Sequence, residues 1–302
     1  MKRREFLRKT IAGAAALVSG SGVPTNWDWI PIPTDESLGT EVVNMILHSK
    51  MYKSASIWEA AVDGHWSIVK EWLRLDPSLI AVTDGATLWG YYYHKMTLLH
   101  LAVALNTDVA ILKYMVTHGA DVCAQFNVKV PINGGEGYFI VTTPPPLHFA
   151  VVDNSNVEVL RFLVLQGAGV NDKDLNDMTP LHRACRNPNV ETFEYLVSQG
   201  ADVNAKDQQG YTPILCAAGS NSNVEVLRFL VSQGADVHAK ENSLDWTPLH
   251  HAAHFNPNID VLQYLISQGA DVFAKDRCDK IPLDVVRTDE HKRILREAMV
   301  RK

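Results

Sequence analysis

The chain has 302 residues, of which 46% are hydrophobic and 21% are charged, as is typical of an ordered globular protein. Its formal net charge of -6 argues against non-specific nucleic-acid binding, because such binding depends on a basic surface. No apolar run reaches the about 18 residues that a membrane-spanning helix needs, so we expect no stable membrane span.

The first segment has the layout of an export signal. A basic start is followed by a moderate apolar run at residues 11–18 and then by small residues. Arg3 and Arg4, followed by Phe6 and Leu7, resemble the consensus of twin-arginine (Tat) signals. The resemblance implies export of an already folded protein to the periplasm or the extracellular space. The alternative is a basic amphipathic leader without a targeting role.

We assign residues 1–22 to this signal and residues 23–53 to a linker that leads into a helix. Val43, Ile46 and Leu47 recur at helical spacing near the end of this second segment. The spacing predicts an N-terminal helix that covers the structure beginning at residue 54.

A four-residue motif recurs through the remainder of the chain. In the C-terminal half, successive copies are 33 to 35 residues apart. Its fullest copy is Thr179-Pro180-Leu181-His182, and further copies begin at Thr97, Pro146, Thr212, Thr247 and Ile281. A threonine can cap a helix, a proline suits the first helical position, and the leucine begins a buried stripe. The histidine can tie the helix start to a neighbouring turn. A fixed period of this length indicates a stacked repeat array.

Each unit ends in a second motif of the Gly-Ala-Asp-Val type. Gly200-Ala201-Asp202-Val203 is the fullest copy, and related copies begin at Gly119, Gly167, Gly234 and Gly269. The glycine stands where a helix ends and φ turns positive. Together the two motifs resemble the ankyrin repeat family over residues 54–302. The resemblance implies an all-α solenoid of about six helix-turn-helix repeats, closed by a charged C-terminal capping helix.

The sequence departs from the ankyrin pattern in three respects. Asn-Pro-Asn or Asn-Ser-Asn replaces Gly-His between paired helices, for example at residues 187–189 and 221–223. The motif histidine is absent at Leu215, where we expect a weakened tether between repeats, and at Asp284, which marks the terminal cap. Two turns are overgrown, at residues 83–95 and 125–143. Alternating apolar residues around an Asn-Gly turn in the second of these predict one β-hairpin finger.

Metal binding and catalysis have weak signals. His250 and His254 are four residues apart on one predicted helix, a spacing that suits a metal, but no third ligand lies in register. Cys185 and Cys216 lie two positions apart within their repeats, so we expect that stacking does not bring them side by side. We expect small buried thiols, no cofactor, no metal and no enzyme activity.

A binding surface remains as the functional prediction. The first helices of such repeats line a concave side, and exposed residues there or on the overgrown turns are the candidates for partner contacts. On the turns they are Trp89, Tyr91, Tyr92 and Tyr138, and on the concave side they are Phe149, Met178, Arg183, Arg186, Tyr211, Trp246, His251 and His254. Tyrosine, tryptophan and arginine dominate interface energetics. The alternative for the turn aromatics is packing against a neighbouring turn.

We therefore predict a monomeric, non-catalytic protein–protein interaction scaffold that acts outside the cytoplasm. Two alternatives share the fold. One is an accessory or protective subunit of an exported enzyme, and the other is a secreted effector that binds a host protein.

Overall fold

The computed structural model describes residues 53–62, 64–81, 83–88, 91–105, 107–131, 138–152 and 156–301. The predicted signal, the linker and the helix predicted before residue 53 lie outside the described residues. The chain divides into two units, Met1–Val82 and Thr83–Lys302, and each is described by itself.

The described part of the first unit is one helix pair followed by a short 3-10 helix at Pro77–Ala81. The pair consists of α1 (Lys53–Val62) and α2 (Trp66–Leu75). Ile57 on α1 and Leu73 on α2 are fully buried where the helices pack. Gly64 makes the tight turn between them with a φ of 75°. This is the helix-turn-helix unit that the sequence predicts.

The second unit contains six more helix pairs in its described residues, so the predicted solenoid is confirmed. The first helices are α3 (Leu98–Ala104), α5 (Pro146–Ala150), α7 (Pro180–Ala184), α9 (Pro213–Ser220), α11 (Pro248–Phe255) and α13 (Pro282–Val285). The second helices are α4 (Val109–Thr117), α6 (Val157–Leu165), α8 (Val190–Ser198), α10 (Val224–Ser232), α12 (Ile259–Ser267) and the capping helix α14 (Asp289–Val300). Leu181 and Leu249 of the motif are fully buried, because they stand at the centre of the stacked first helices.

Both overgrown turns are antiparallel hairpins. The predicted one consists of β3 (Phe126–Pro131) and β4 (Tyr138–Thr143), which pair in register from Phe126 opposite Thr143. The second, which the sequence does not predict, consists of β1 (Thr83–Leu88) and β2 (Tyr91–Thr97). A register shift between Asp84 and Ala86 interrupts the pairing of these two strands. The β2 strand packs against β3 and β4, so the two hairpins lie together.

The glycine that ends each second helix has the predicted left-handed backbone. Gly200 has a φ of 90°, and its N–H donates to Val197 O at 2.9 Å while Ala201 N–H donates to Leu196 O at 3.0 Å. This pair of bonds satisfies carbonyls that the helix leaves open. The same arrangement recurs at Gly119, Gly167, Gly234 and Gly269.

The motif histidine is the predicted tether. Thr179 N–H donates to His182 Nδ1 at 3.2 Å, so the ring hydrogen lies on Nε2. His182 Nε2 then donates to Tyr211 O of the next repeat at 3.0 Å. His100 and His250 are held in the same way, by Thr97 and Thr247. Each tether therefore caps one helix and fixes the turn of the following repeat.

The repeat that lacks this histidine carries an unsatisfied group. Thr212 is buried, and its Oγ1 has no hydrogen-bond partner among the described residues, because Leu215 stands where the histidine would be. We expect Thr212→Val to leave the free energy of unfolding unchanged or to raise it by up to about 1 kcal/mol, since it removes an unpaired hydroxyl.

The matched variant Thr179→Val should instead lower the free energy of unfolding by about 1–2 kcal/mol, because it breaks a satisfied cap. Urea unfolding of both variants beside the wild type makes the comparison. Equal losses at the two positions would show that the histidine partner is irrelevant to the threonine.

The asparagine turns between paired helices form a second set of ties, which we call the asparagine ladder: Asn187, Asn221 and Asn256. Asn221 Nδ2 donates to Cys185 O at 3.0 Å and to Asn187 O at 2.9 Å. Asn256 Nδ2 donates to Ala218 O at 2.9 Å and to Asn221 O at 2.8 Å. All three side chains are buried. The departure from Gly-His thus links each turn to the repeat before it.

Candidate functional site

The first helices of three consecutive repeats enclose a pocket of about 330 Å³, which we call the first-helix pocket. It lies between α5, α7 and α9, on the face that the first helices form. Four of the predicted contact residues meet there. The lining residues are Pro144, His148, Phe149, Val152, Met178, His182, Arg183, Cys185, Arg186, Cys216 and Ser220.

An arginine–carboxylate pair shapes one wall of the pocket. Arg183 Nη2 forms an ion pair with Asp174 Oδ2, and the Asp174 side chain is fully buried. The same carboxylate accepts from Asn176 N–H at 2.8 Å and from Met178 N–H at 3.0 Å. Asp174 therefore holds the turn before the motif and orients Arg183 at the same time. Arg186, one helical turn further on, is exposed and makes no ion pair with any described residue.

Cys185 and Cys216 lie next to each other in the pocket wall, so the expectation that stacking keeps them apart is wrong. Cys185 Sγ is also 3.1 Å from Pro213 O. Burial, and then the neighbouring Cys216 thiol, raise the pKa of the Cys185 thiol well above its ordinary value. A protonated thiol is a weak nucleophile.

His148 lacks one of the two contacts of the motif histidines. Its Nε2 is 3.0 Å from Met178 O, but its Nδ1 has no hydrogen-bond partner among the described residues. The helix cap before it is Pro145, which offers neither an N–H nor a hydroxyl. Burial lowers the pKa of His148 to about 4, so its ring is neutral at pH 7.

A second group of side chains, which we call the aromatic cluster, lies on α11 and the turn before it. The Trp246 ring centroid is 5.4 Å from that of His251 and 5.2 Å from that of His254. Tyr211 contacts His251 at 5.3 Å. Phe255 lies 4.5 Å from His254 and is 54% exposed, so it forms the accessible edge of the aromatic cluster.

Sequence reasoning missed Phe255 and its neighbour Arg287. The Arg287 guanidinium lies 5.8 Å from the Phe255 ring centroid, and its Nη2 is 2.7 Å from His254 Nε2. A positional signal was present in the sequence. Phe255 stands directly before an asparagine turn, as do Arg186 and Ser220, which line the first-helix pocket.

Three candidate residues are less accessible than the sequence suggests. Phe149, His251 and Trp246 are only 2%, 4% and 9% exposed, so the expectation that they are exposed is wrong. Trp246 is buried because its Nε1 donates to Asp276 Oδ2 of the next repeat at 3.0 Å. The remaining candidates on this face, Met178, Arg183, Arg186, Tyr211 and His254, are partly or fully exposed.

The histidines at metal-binding spacing have their ring nitrogens engaged. His250 contacts Thr247 through Nδ1 and Lys280 O through Nε2. His254 Nδ1 is 2.7 Å from Val285 O, and its Nε2 faces Arg287. The described residues contain no group of three or more histidine, cysteine or acidic side chains that could hold a metal ion.

The hairpin candidates are placed by their backbone. Tyr91 and Tyr92 lie in β2 and Tyr138 lies in β4, which pack against each other. Trp89 lies outside the described residues. The role of these four residues in partner binding stays a prediction.

Stacked helix pairs joined by projecting turns define a solenoid repeat protein, whose usual work is binding along one extended face. A family model of ankyrin repeats in three copies matches residues 99–207, 147–241 and 205–276, together more than half of the chain. The chain therefore belongs to the ankyrin repeat family, whose members generally mediate protein–protein interaction. Among characterised proteins, a search found no significant match. No described helix is long and apolar enough to cross a membrane.

Proposed function

We propose that this chain is a non-catalytic scaffold that binds a protein partner outside the cytoplasm through the face of its first helices. The observation that carries the proposal is the pairing of the first-helix pocket with the aromatic cluster on one rigid face. Exposed Arg186 and Phe255 and half-buried Tyr211 are side chains of the types that dominate interfaces. The stacked repeats hold them in place already, so binding orders little of the chain.

The chemistry of the reactive side chains supports a binding role. The Cys185 thiol has a raised pKa, which opposes nucleophilic attack. His182 and His250 have lowered pKa values through burial, and both contact backbone carbonyls of the next repeat. The two histidines therefore hold the turn of the next repeat in place.

The proposal that the protein acts outside the cytoplasm is supported by the N-terminal sequence. Arg3, Arg4, Phe6 and Leu7 resemble the Tat-type pattern, and an apolar run follows them. An ankyrin array exported by this route would fold before it meets its partner.

One experiment tests both parts of the proposal. The tagged full-length chain is expressed in its own cells, the compartments are separated, and bound proteins are identified by mass spectrometry. Phe255→Ala combined with Tyr211→Ala should lower the yield of the partner at least tenfold. Leu165→Ala is the matched control, because Leu165 is 80% exposed at the end of a second helix, away from this face. All variants should show the same thermal unfolding midpoint within a few degrees.

The outcomes separate the two parts. A partner that is captured equally by the face variant and the wild type contradicts the surface assignment. Arg3→Lys combined with Arg4→Lys should keep the chain in the cytoplasmic fraction, and unchanged export of that variant contradicts the Tat assignment.

A further inference from the structure

We infer that the first-helix pocket receives one large apolar side chain from an acidic segment of the partner. The inference rests on the proposed function, because it names the chemistry that the partner presents at one place on the binding face.

The inner wall of the pocket is apolar. Phe149 is buried at its base, Val152 and Met178 are half-buried at its sides, and the protonated thiol of Cys185 completes the wall. A volume of about 330 Å³ is at the small end of protein pockets, and it suits one large side chain better than an extended ligand. Filling it would remove apolar surface from water on both partners.

Exposed Arg186 places one uncompensated positive charge at the mouth of the pocket. Arg183 and Arg186 are the charged side chains among its described lining residues, and none of the eleven is acidic. The charge of Arg183 is balanced by its ion pair with the fully buried Asp174, whereas Arg186 forms no ion pair with any described residue. The chain as a whole carries a net charge of -6, so this positive spot is a local feature. Carboxylates beside the apolar anchor would complement it.

The surroundings of the pocket favour a polypeptide segment. The pocket ends at Ser220 on α9, and the aromatic cluster begins on α11, the next first helix, which packs against α9. Ser220 and Phe255 hold the same position in successive repeats, directly before an asparagine turn. A segment anchored in the pocket would therefore run on toward Phe255.

A random dodecapeptide phage library, panned on the full-length chain, tests the inference. We expect the enriched peptides to share a large apolar residue with aspartate or glutamate within two positions of it. Fluorescence anisotropy of the leading peptide should then show at least tenfold weaker binding to Arg186→Glu and to Ser220→Trp. The first variant reverses an exposed charge, and the second fills the mouth of the pocket from an exposed position.

The matched control is Ser232→Trp. Ser232 is exposed like Ser220, and both hydroxyls donate to a backbone carbonyl: Ser232 Oγ to Phe229 O at 2.7 Å and Ser220 Oγ to Cys216 O at 2.8 Å. Ser232 differs in that it lies at the end of a second helix. The Ser232→Trp variant should bind the peptide with the same affinity as the wild type. Panning on Arg186→Glu should shift the enriched peptides toward lysine and arginine.

Three results would overturn the inference: no enrichment, enrichment of peptides without acidic residues beside an apolar one, or binding that Ser220→Trp leaves intact. Each is distinguishable from failure of the proposed function. If Phe255→Ala with Tyr211→Ala still loses the captured partner, the face binds protein and only the assignment of the pocket is wrong.

Discussion

Lowering the pH from 8 to 5 should reduce the free energy of unfolding by about 2 kcal/mol for each of three buried histidines. The three are His100, His148 and His251, and burial lowers the pKa of each to about 4. In the unfolded chain each would titrate near its ordinary value of about 6.5. Between these two values the unfolded state binds protons that the folded state does not. The stabilisation is therefore complete above pH 6.5 and is lost as the pH falls toward 4.

Loss of hydration outweighs the nearby charges at all three rings. Asp121 raises the pKa of His100, and Asp174 raises that of His148, while Arg183 lowers it. At His251, Glu241 opposes the lowering, whereas His250 and His254 add to it. Burial is the largest cause in each case. Acid should therefore unfold the array, because a second proton gives each buried ring a charge that water does not solvate.

Urea unfolding at intervals between pH 8 and pH 4 measures this loss. His251→Leu should reduce the slope of the free energy of unfolding against pH below pH 6.5. The reduction should correspond to about one proton, since the substitution removes one buried titrating ring. The ring is suited to the test because its Nε2 has no hydrogen-bond partner among the described residues. A variant with the same pH dependence as the wild type would show that the buried histidines do not control acid unfolding.

The sequence predicts the local parts of this fold well, because they depend on residues three or four apart. Thr179 and His182 lie within one helical turn, so their cap follows from the motif alone. The glycine at each helix end is equally local, as its positive φ is a property of its own backbone. The solenoid follows from the repetition of these pieces.

The candidate site depends on contacts between repeats, and these contacts are harder to predict from the sequence. Trp246 was expected to be exposed because it stands on the concave side just before the repeated motif, but its indole reaches Asp276, which lies 30 residues further on. Cys185 and Cys216 lie next to each other although they hold different positions within their repeats, which counting positions within a repeat does not reveal. Four of the eleven residues that line the first-helix pocket were among the predicted contacts, and of these four Phe149 is buried.

The asparagine ladder shows both sides of this distinction. The sequence places Asn187, Asn221 and Asn256 at one repeat position, but only the structure shows that their side-chain amides reach backbone carbonyls of the preceding repeat. In an exposed turn, the same asparagines could have capped only the helix that follows them. Because the side chains of the asparagine ladder are buried, their hydrogen bonds link successive repeats. The contribution of these bonds to the free energy of unfolding can be measured.

Asn221→Ala should lower the free energy of unfolding by about 3–4 kcal/mol, because three hydrogen bonds are lost in a buried place. The Asn221 side chain donates to Cys185 O and Asn187 O and accepts from Asn223 N–H at 2.9 Å, and it is 1% exposed. Alanine would leave these backbone groups unpaired where water does not reach them easily. Because the side chain joins two repeats, the urea transition should also become broader.

Asn223→Ala is the matched control in the same turn. Asn223 Nδ2 donates to Pro188 O at 2.8 Å and its Oδ1 accepts from Glu225 N–H at 3.0 Å, but the site is accessible to water. Its loss should therefore cost about 1 kcal/mol, the usual cost of removing a helix cap. Asn221→Asp keeps the acceptor for Asn223 N–H and removes both donors, so it should be at least as damaging as Asn221→Ala. Equal losses for Asn221→Ala and Asn223→Ala would show that the buried bonds between repeats add nothing beyond the local cap.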